Sequence, residues 1–157
     1  MVNPSIEARI REMAITLPPT PTPFGTYSEA VMSGALLFLS GMLPVLGHEP
    51  IYLGRVGSEL SVREGYDAAR IACMNGISAA RAYLGSLDYI KRIAKLGVYI
   101  AAPEDFRDHP KVADGASDLL MELFGQALVP PRVVLGVSSI PLGMPIEVEL
   151  VFEIDMQ

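Results

Sequence analysis

The chain has 157 residues, half of them hydrophobic, with one cysteine, no tryptophan and a formal net charge of −6. That length suits a single domain over residues 1–157 with one core. The acidic balance, without any cluster of Lys and Arg, argues against nucleic acid and membranes as partners, since nucleic acid and anionic membranes call for basic surfaces.

One cysteine excludes an internal disulfide and fits a reducing, cytoplasmic setting. No apolar run approaches the roughly 18 residues of a membrane span. The opening MVNPSIEARIREM lacks the basic-then-apolar order of a signal peptide. A mean hydropathy of +0.36 is high for so short a chain. Large exposed apolar patches are rare on soluble monomers, so subunit contact is expected.

Pro4 and Ser5 open a helical pattern over 4–14, with Ile6, Ile10 and Met13 on one face. It forms an N-terminal helical extension over 1–17. Prolines at 18, 19, 21 and 23 follow; proline fixes φ and removes a donor, so this stretch is an extended connector ending at Gly25-Thr26-Tyr27. Residues 29–46 hold two strand candidates on either side of Ser33-Gly34. The second, Leu36 to Leu43, is a near-continuous apolar run. Residues 51–57 (IYLGRVG) read as a short edge strand.

Ser61 and Glu64 have the spacing of a capping box. From there Val62, Tyr66, Ala69, Cys73, Ile77, Ala80 and Leu84 recur at helical spacing up to Gly85. Within this helix Cys73 reads as a small core hydrophobe and Asn75 as a buried hydrogen-bonding residue. Residues 90–101 read as a strand bounded by Pro103. A second helix is predicted over 109–125, with Pro110 in its first turn and Val112, Ala116, Leu119, Leu120 and Leu123 on its buried stripe. After a loop at 126–131 come two strands, roughly 132–138 and 145–154. In the last, Ile146, Val148, Leu150, Phe152 and Ile154 alternate with Glu147, Glu149, Val151 and Glu153.

This order predicts an α+β domain: a mixed, mostly antiparallel sheet with two main helices packed on one face. On the strand from 132, Val133, Leu135 and Val137 occupy one side and Arg132, Val134 and Gly136 the other. Both sides are largely apolar, which again points to a partner subunit.

The chemistry concentrates between Pro130 and Asp155. Arg132 stands at the mouth of one apolar strand, and Glu147 follows fifteen residues later on the next. An arginine fork grips a carboxylate through two charge-assisted hydrogen bonds, and a glutamate can hold and deprotonate a water. Together they describe a site for a small anionic substrate attacked by water. The bland reading of the same pair is a salt bridge, and Glu147, Glu149 and Glu153 share a face on which any could be plain solvated charge. Neither His48 nor His109 has metal-ligand spacing, and both are expected at the surface.

Four segments in order, GTYSEAV (25–31), LFLSGMLP (37–44), PEDF (103–106) and PPRVVLGVSSIPLGMPIEVE (130–149), resemble the reactive intermediate deaminase family, also called Rid or YjgF-like, with its chorismate-mutase-like fold. The resemblance covers roughly 18–155, and the N-terminal helix is similar to that of a longer subgroup. It implies a homotrimer with three sites in inter-subunit clefts, and hydrolysis of 2-imino acids or their enamine tautomers to 2-oxo acids and ammonia. It implies no metal or organic cofactor. By the same resemblance, Arg132 clamps the substrate carboxylate, Glu147 orients the water and accepts its proton, and Tyr27 caps the pocket or bonds the substrate. A backbone N–H near Val134 positions the water or the adduct, and Gly41 and Met42 complete the binding set.

Several positions depart from the family pattern. Met42 stands where Gln is frequent, Pro110 where Asn is frequent, and Val133-Val134 where Ser-Cys is frequent. These changes imply a more apolar pocket or a different substrate. The alternative is a non-catalytic protein that binds a small carboxylate in the same clefts. RNA cleavage, an activity attached to some relatives, wants positioned His or Lys groups in a basic groove, and the charge and the two isolated histidines argue against it.

Overall fold

A computed structural model describes residues 5–156. The first helix, α1 (Ile6–Glu12), starts at Ser5, whose hydroxyl accepts from the Ala8 N–H at 3.1 Å. Pro4, expected at its start, lies outside the described residues. Glu7 pairs with Arg81 at 2.8 Å, and Arg9 donates to the Leu123 carbonyl, so the extension is tied to the helical layer. The proline-rich connector follows, held where Ser78 Oγ donates to the Pro18 carbonyl at 2.7 Å.

Strands β1 (Ala30–Ser33) and β2 (Leu36–Leu39) form a hairpin turning at Gly34, whose φ of +57° favours glycine. The expected strand from Leu36 to Leu43 stops at Leu39. The chain breaks step at Ser40-Gly41, and Met42 rejoins the sheet as an isolated bridge to Val148. A small hairpin, β3 (Val45–Leu46) and β4 (Glu49–Pro50), comes next. The edge strand expected at 51–57 is absent. Gly54 and Gly57 have φ of +113° and +89°, which extended pairing does not accept, and Val56 instead donates its N–H to the Ala101 carbonyl.

Helix α2 (Val62–Leu84) carries the capping box on Ser61 and Glu64 and ends at Gly85 with φ of +82°. Strand β5 (Ile90–Ala101), helix α3 (His109–Phe124), β6 (Arg132–Val137) and β7 (Ile146–Ile154) complete the chain. The sheet order is β1-β2-β7-β5-β6; only β5 and β6 run parallel, joined through α3. This is the α+β architecture expected, with α2 and α3 on one face and α1 as a third, short helix.

Small residues let the two long helices approach. Ala68, Ala69, Ala72, Cys73 and Ala80 are fully buried. A Cβ at Gly115 would collide with the Tyr66 carbonyl, so the crossing requires glycine there. Arg70 and Glu122 bridge α2 to α3 with two bonds of 3.2 and 2.7 Å. The Cys73 thiol, wholly buried, is pushed up to about 12 by desolvation.

Alternation fixes the faces of the sheet. Leu150, Leu96 and Arg132 are lateral neighbours, and the two leucines are fully buried under the helices. Glu147, Tyr99 and Leu135 are also lateral neighbours, three residues out of phase, and therefore lie on the opposite face. That open face also presents Val31, Phe38 and Val133, which with Leu135 are 40–56% exposed. Among the described residues no helix is long and apolar enough to cross a membrane.

Candidate functional site

The three glutamates of β7 are not equivalent. Glu149 accepts from Tyr99 Oη at 2.7 Å and from Lys95 Nζ at 3.2 Å. Its carboxyl is held below its usual value, first by the Tyr99 hydrogen bond and then by Lys95, against burial. Glu153 is paired with both Lys91 and Arg92. Glu147 is half-buried and has no hydrogen-bond or ion-pair partner among the described residues. Burial, and then the charge of Glu149, push its carboxyl above the usual range. Plain solvated charge describes none of the three.

Glu147 is set against Gly41. A Cβ at residue 41 would overlap the Glu147 carboxylate, so the break in β2 at Ser40-Gly41 makes room for that carboxylate over bare backbone. Two depressions flank it. One, of about 430 Å³, is lined by Phe24, Tyr27, Ser40, Leu43 and Pro141. The other, of about 340 Å³, is lined by Phe38, Tyr99, Glu149 and Val151. The Tyr27 hydroxyl accepts from the Phe24 N–H at 2.9 Å, which leaves its own proton available to a ligand. Phe24 in turn stacks on His48, ring centroids 4.0 Å apart. His48 is exposed, as expected, and bonds Thr22.

Met42 is 2% exposed and packs beside Gly76 of α2. Its place is at the floor of the site, with its side chain in the core. Asn75, also fully buried, donates to the carbonyls of Leu43 and Val45 at 2.9 and 2.8 Å and so fixes the segment that follows Met42.

Arg132 belongs to the other face. Its Nη1 donates to Asp114 Oδ1 at 2.7 Å and to Ser117 Oγ at 3.0 Å; Nη2 makes only a long contact, 3.5 Å, with the Pro110 carbonyl. One edge of the guanidinium is thus spent on α3, and the Nε–Nη2 edge keeps the geometry that receives a carboxylate. Two residues on, Val134 shares the face of Arg132. The Leu96 N–H bonds the Pro131 carbonyl and the Ala102 N–H bonds the Val137 carbonyl, so in this parallel pairing the N–H groups of Arg132, Val134 and Gly136 point away from β5. An outward N–H at Val134 is therefore present on an unpaired sheet edge.

The chain brings Tyr27, Gly41, Met42 and Glu147 together, and Arg132 and Val134 together, but holds the two groups on opposite faces. Asp114, Ser117, Phe24 and Ser40 had not been singled out in the sequence. Asp114 and Ser117 stand at i, i+3 spacing on α3, one turn apart, which is the arrangement that lets both reach one guanidinium nitrogen. Among the described residues no group of three or more His, Cys, Asp or Glu side chains is placed to hold a metal ion.

Comparison with known proteins places this geometry in context. The profile of a family described as "YjgF/chorismate_mutase-like, putative endoribonuclease" matches residues 7–154. Protein TCP17 of Trypanosoma cruzi is 34% identical over 151 residues, covering 96% of this chain and 94% of that one. A RutC family protein of Aquifex aeolicus (strain VF5) is 29% identical over 140 residues, covering 87% and 95%. A crystal structure from Shewanella oneidensis MR-1, carrying the same endoribonuclease description, superposes with a TM-score of 0.90 at 33% identity, covering 96% and 99%.

Proposed function

Because the chain belongs to the YjgF-like Rid family, whose profile spans residues 7–154, we propose that it hydrolyses small 2-imino acids, or their enamine tautomers, to 2-oxo acids and ammonia. The observation that carries this reading is Glu147: an unpartnered carboxylate with a raised proton affinity, lying over Gly41 between two depressions. In this reading the protein is a homotrimer, and the Arg132 face of one protomer meets the Glu147 face of the next. The exposed apolar residues of the open sheet face support such an assembly.

The substrate carboxylate binds the free Nε–Nη2 edge of Arg132, which fixes the C=N carbon. The imine reacts in its protonated form: Glu147 takes a proton from water as the C–O bond forms and the C=N electron pair moves to nitrogen, giving a carbinolamine. The same carboxyl then protonates the amine; the C–N bond breaks to release ammonia, and the hydroxyl proton passes to the regenerated Glu147 carboxylate, leaving the carbonyl. The outward N–H at Val134 and the Tyr27 hydroxyl are donors suited to the adduct. The endoribonuclease term attached to the family finds less support, because a net charge of −6 repels a polyanion.

The second reading, carboxylate binding without turnover, is favoured by one observation: Arg132 already holds a carboxylate, that of Asp114. The test is an amino-acid oxidase generating 2-imino acids in situ, with semicarbazide capturing what remains free. Suppression of capture by the wild type and not by Arg132→Ala supports hydrolysis. Failure to suppress across small and aromatic imines removes it.

A further inference from the structure

A cavity of about 700 Å³ contains none of these residues in its lining. It is lined in part by Arg55, Phe106, Arg107, His109, Gly136 and Ser138. Its position follows from the topology. β5 ends at Ala101 and β6 at Val137, the two run parallel, and the connecting helix α3 starts at His109. The carboxyl ends of both parallel strands and the start of the crossover helix therefore meet at one crevice.

The side chains there are cationic and little committed. Arg107 Nη1 donates to the Glu104 and Phe106 carbonyls at 3.2 and 3.1 Å, and among the described residues no carboxylate stands within ion-pair distance of it. Main-chain acceptors hold its orientation and leave its charge uncompensated. Arg55 faces Glu59 at only 3.9 Å, with both side chains about half exposed, a pairing of little strength. Glu104 is the one carboxylate in the lining. Asp108, which precedes α3, turns its carboxylate to Lys111 Nζ at 3.0 Å and does not cap the helix.

His109 is built into the wall. Its ring meets Phe106 edge-on, centroids 4.8 Å apart, and Nε2 lies against Gly136, where a Cβ would overlap it. Gly136 lets the imidazole lie on the strand, and its own N–H points outward from the β6 edge. Two guanidinium groups, an imidazole nitrogen and a main-chain donor thus surround one crevice in an acidic protein.

We propose that this crevice is a second binding site, for a small phosphate- or carboxylate-bearing anion held by Arg55 and Arg107 against the His109 ring. It stands independently of imine hydrolysis, since none of its three ligands serves that reaction.

The test uses the full-length protein and the imidazole NMR signals of its two histidines, assigned with His48→Gln. Inorganic phosphate and malonate are the probes. The expected result is a saturable shift of the His109 signals by at least one probe, weakened about tenfold or more by Arg55→Ala or Arg107→Ala, the worth of one charge-assisted hydrogen bond. Arg132→Ala leaves the shift intact. Tighter binding of phosphate identifies a phosphate ligand, and of malonate a carboxylate. No saturable shift, a shift that survives both arginine changes, or one lost with Arg132→Ala overturns the proposal.

Discussion

Gly41 and Glu147 are a steric pair: the carboxylate lies where the Cβ of any other residue 41 would be. The φ of Gly41 is not in the left-handed region, so the position tolerates other residues as far as backbone is concerned. Gly41→Ala is therefore expected to act on the carboxylate alone. Activity should fall as far as in Glu147→Gln, while the melting temperature stays close to that of the wild type. A fully active Gly41→Ala enzyme would remove Glu147 from the mechanism.

The proton affinity of Glu147 sets a pH dependence. In the proposed role of base it works in its charged form, so the rate is expected to fall as pH drops through its raised pKa. Glu149→Gln removes the like charge and should move that limb to lower pH. Stability runs the other way. The unfolded chain binds this proton less tightly than the folded one, so stability declines as pH rises through the window between the two pKa values. Glu147→Gln is expected to raise the melting temperature at neutral pH and to have no effect at pH values below the ordinary carboxylate range.

Asp114 is a positioning residue for Arg132, which it bonds at 2.7 Å. Asp114→Ala should raise KM by about tenfold with a smaller change in kcat, because the guanidinium loses one charge-assisted bond and its fixed edge. Asp114→Asn should recover part of the loss. A lower KM in either variant would show that Asp114 competes with the substrate carboxylate.

Much of this was legible in the chain. The alternation from Ile146 to Ile154 and the Ser61–Glu64 box announce β7 and the start of α2 because each depends only on near neighbours. The hairpin at 45–50 did not, since two-residue strands are too short to show a period. The strand expected at 51–57 failed on Gly54 and Gly57, whose left-handed φ is a property of the fold and not of composition. Within the site, sequence offered Glu147, Glu149 and Glu153 as equals. Only the neighbours that β5 supplies, Tyr99 with Lys95 and Lys91 with Arg92, separate the two neutralised glutamates from the one that has no partner among the described residues. The Arg132–Asp114 bond was equally hidden, because it spans a loop and a helix.

The open sheet face gives a test of assembly. Leu135 is 50% exposed there. If the proposed homotrimer forms through this face, Leu135→Lys is expected to convert it to monomer in sedimentation velocity, and to abolish the proposed activity with it. Met121→Lys, on the exposed side of α3, should do neither.

Asn75 is the polar tie beneath the site. Asn75→Ala removes both bonds to the carbonyls of Leu43 and Val45 and should cost about 2–3 kcal/mol, read from the midpoint of urea unfolding.

Cys73 gives the molecule an internal clock. Its thiol is sealed between α2 and α3, its proton held to a pKa of about 12, and nucleophilic attack on a disulfide reagent requires the thiolate. At neutral pH the native protein presents almost none of that species, and no route for a reagent to reach it. Every labelled molecule has therefore first parted its two long helices. With only one cysteine in the chain, the labelling rate reports how often that parting happens, without any engineered probe.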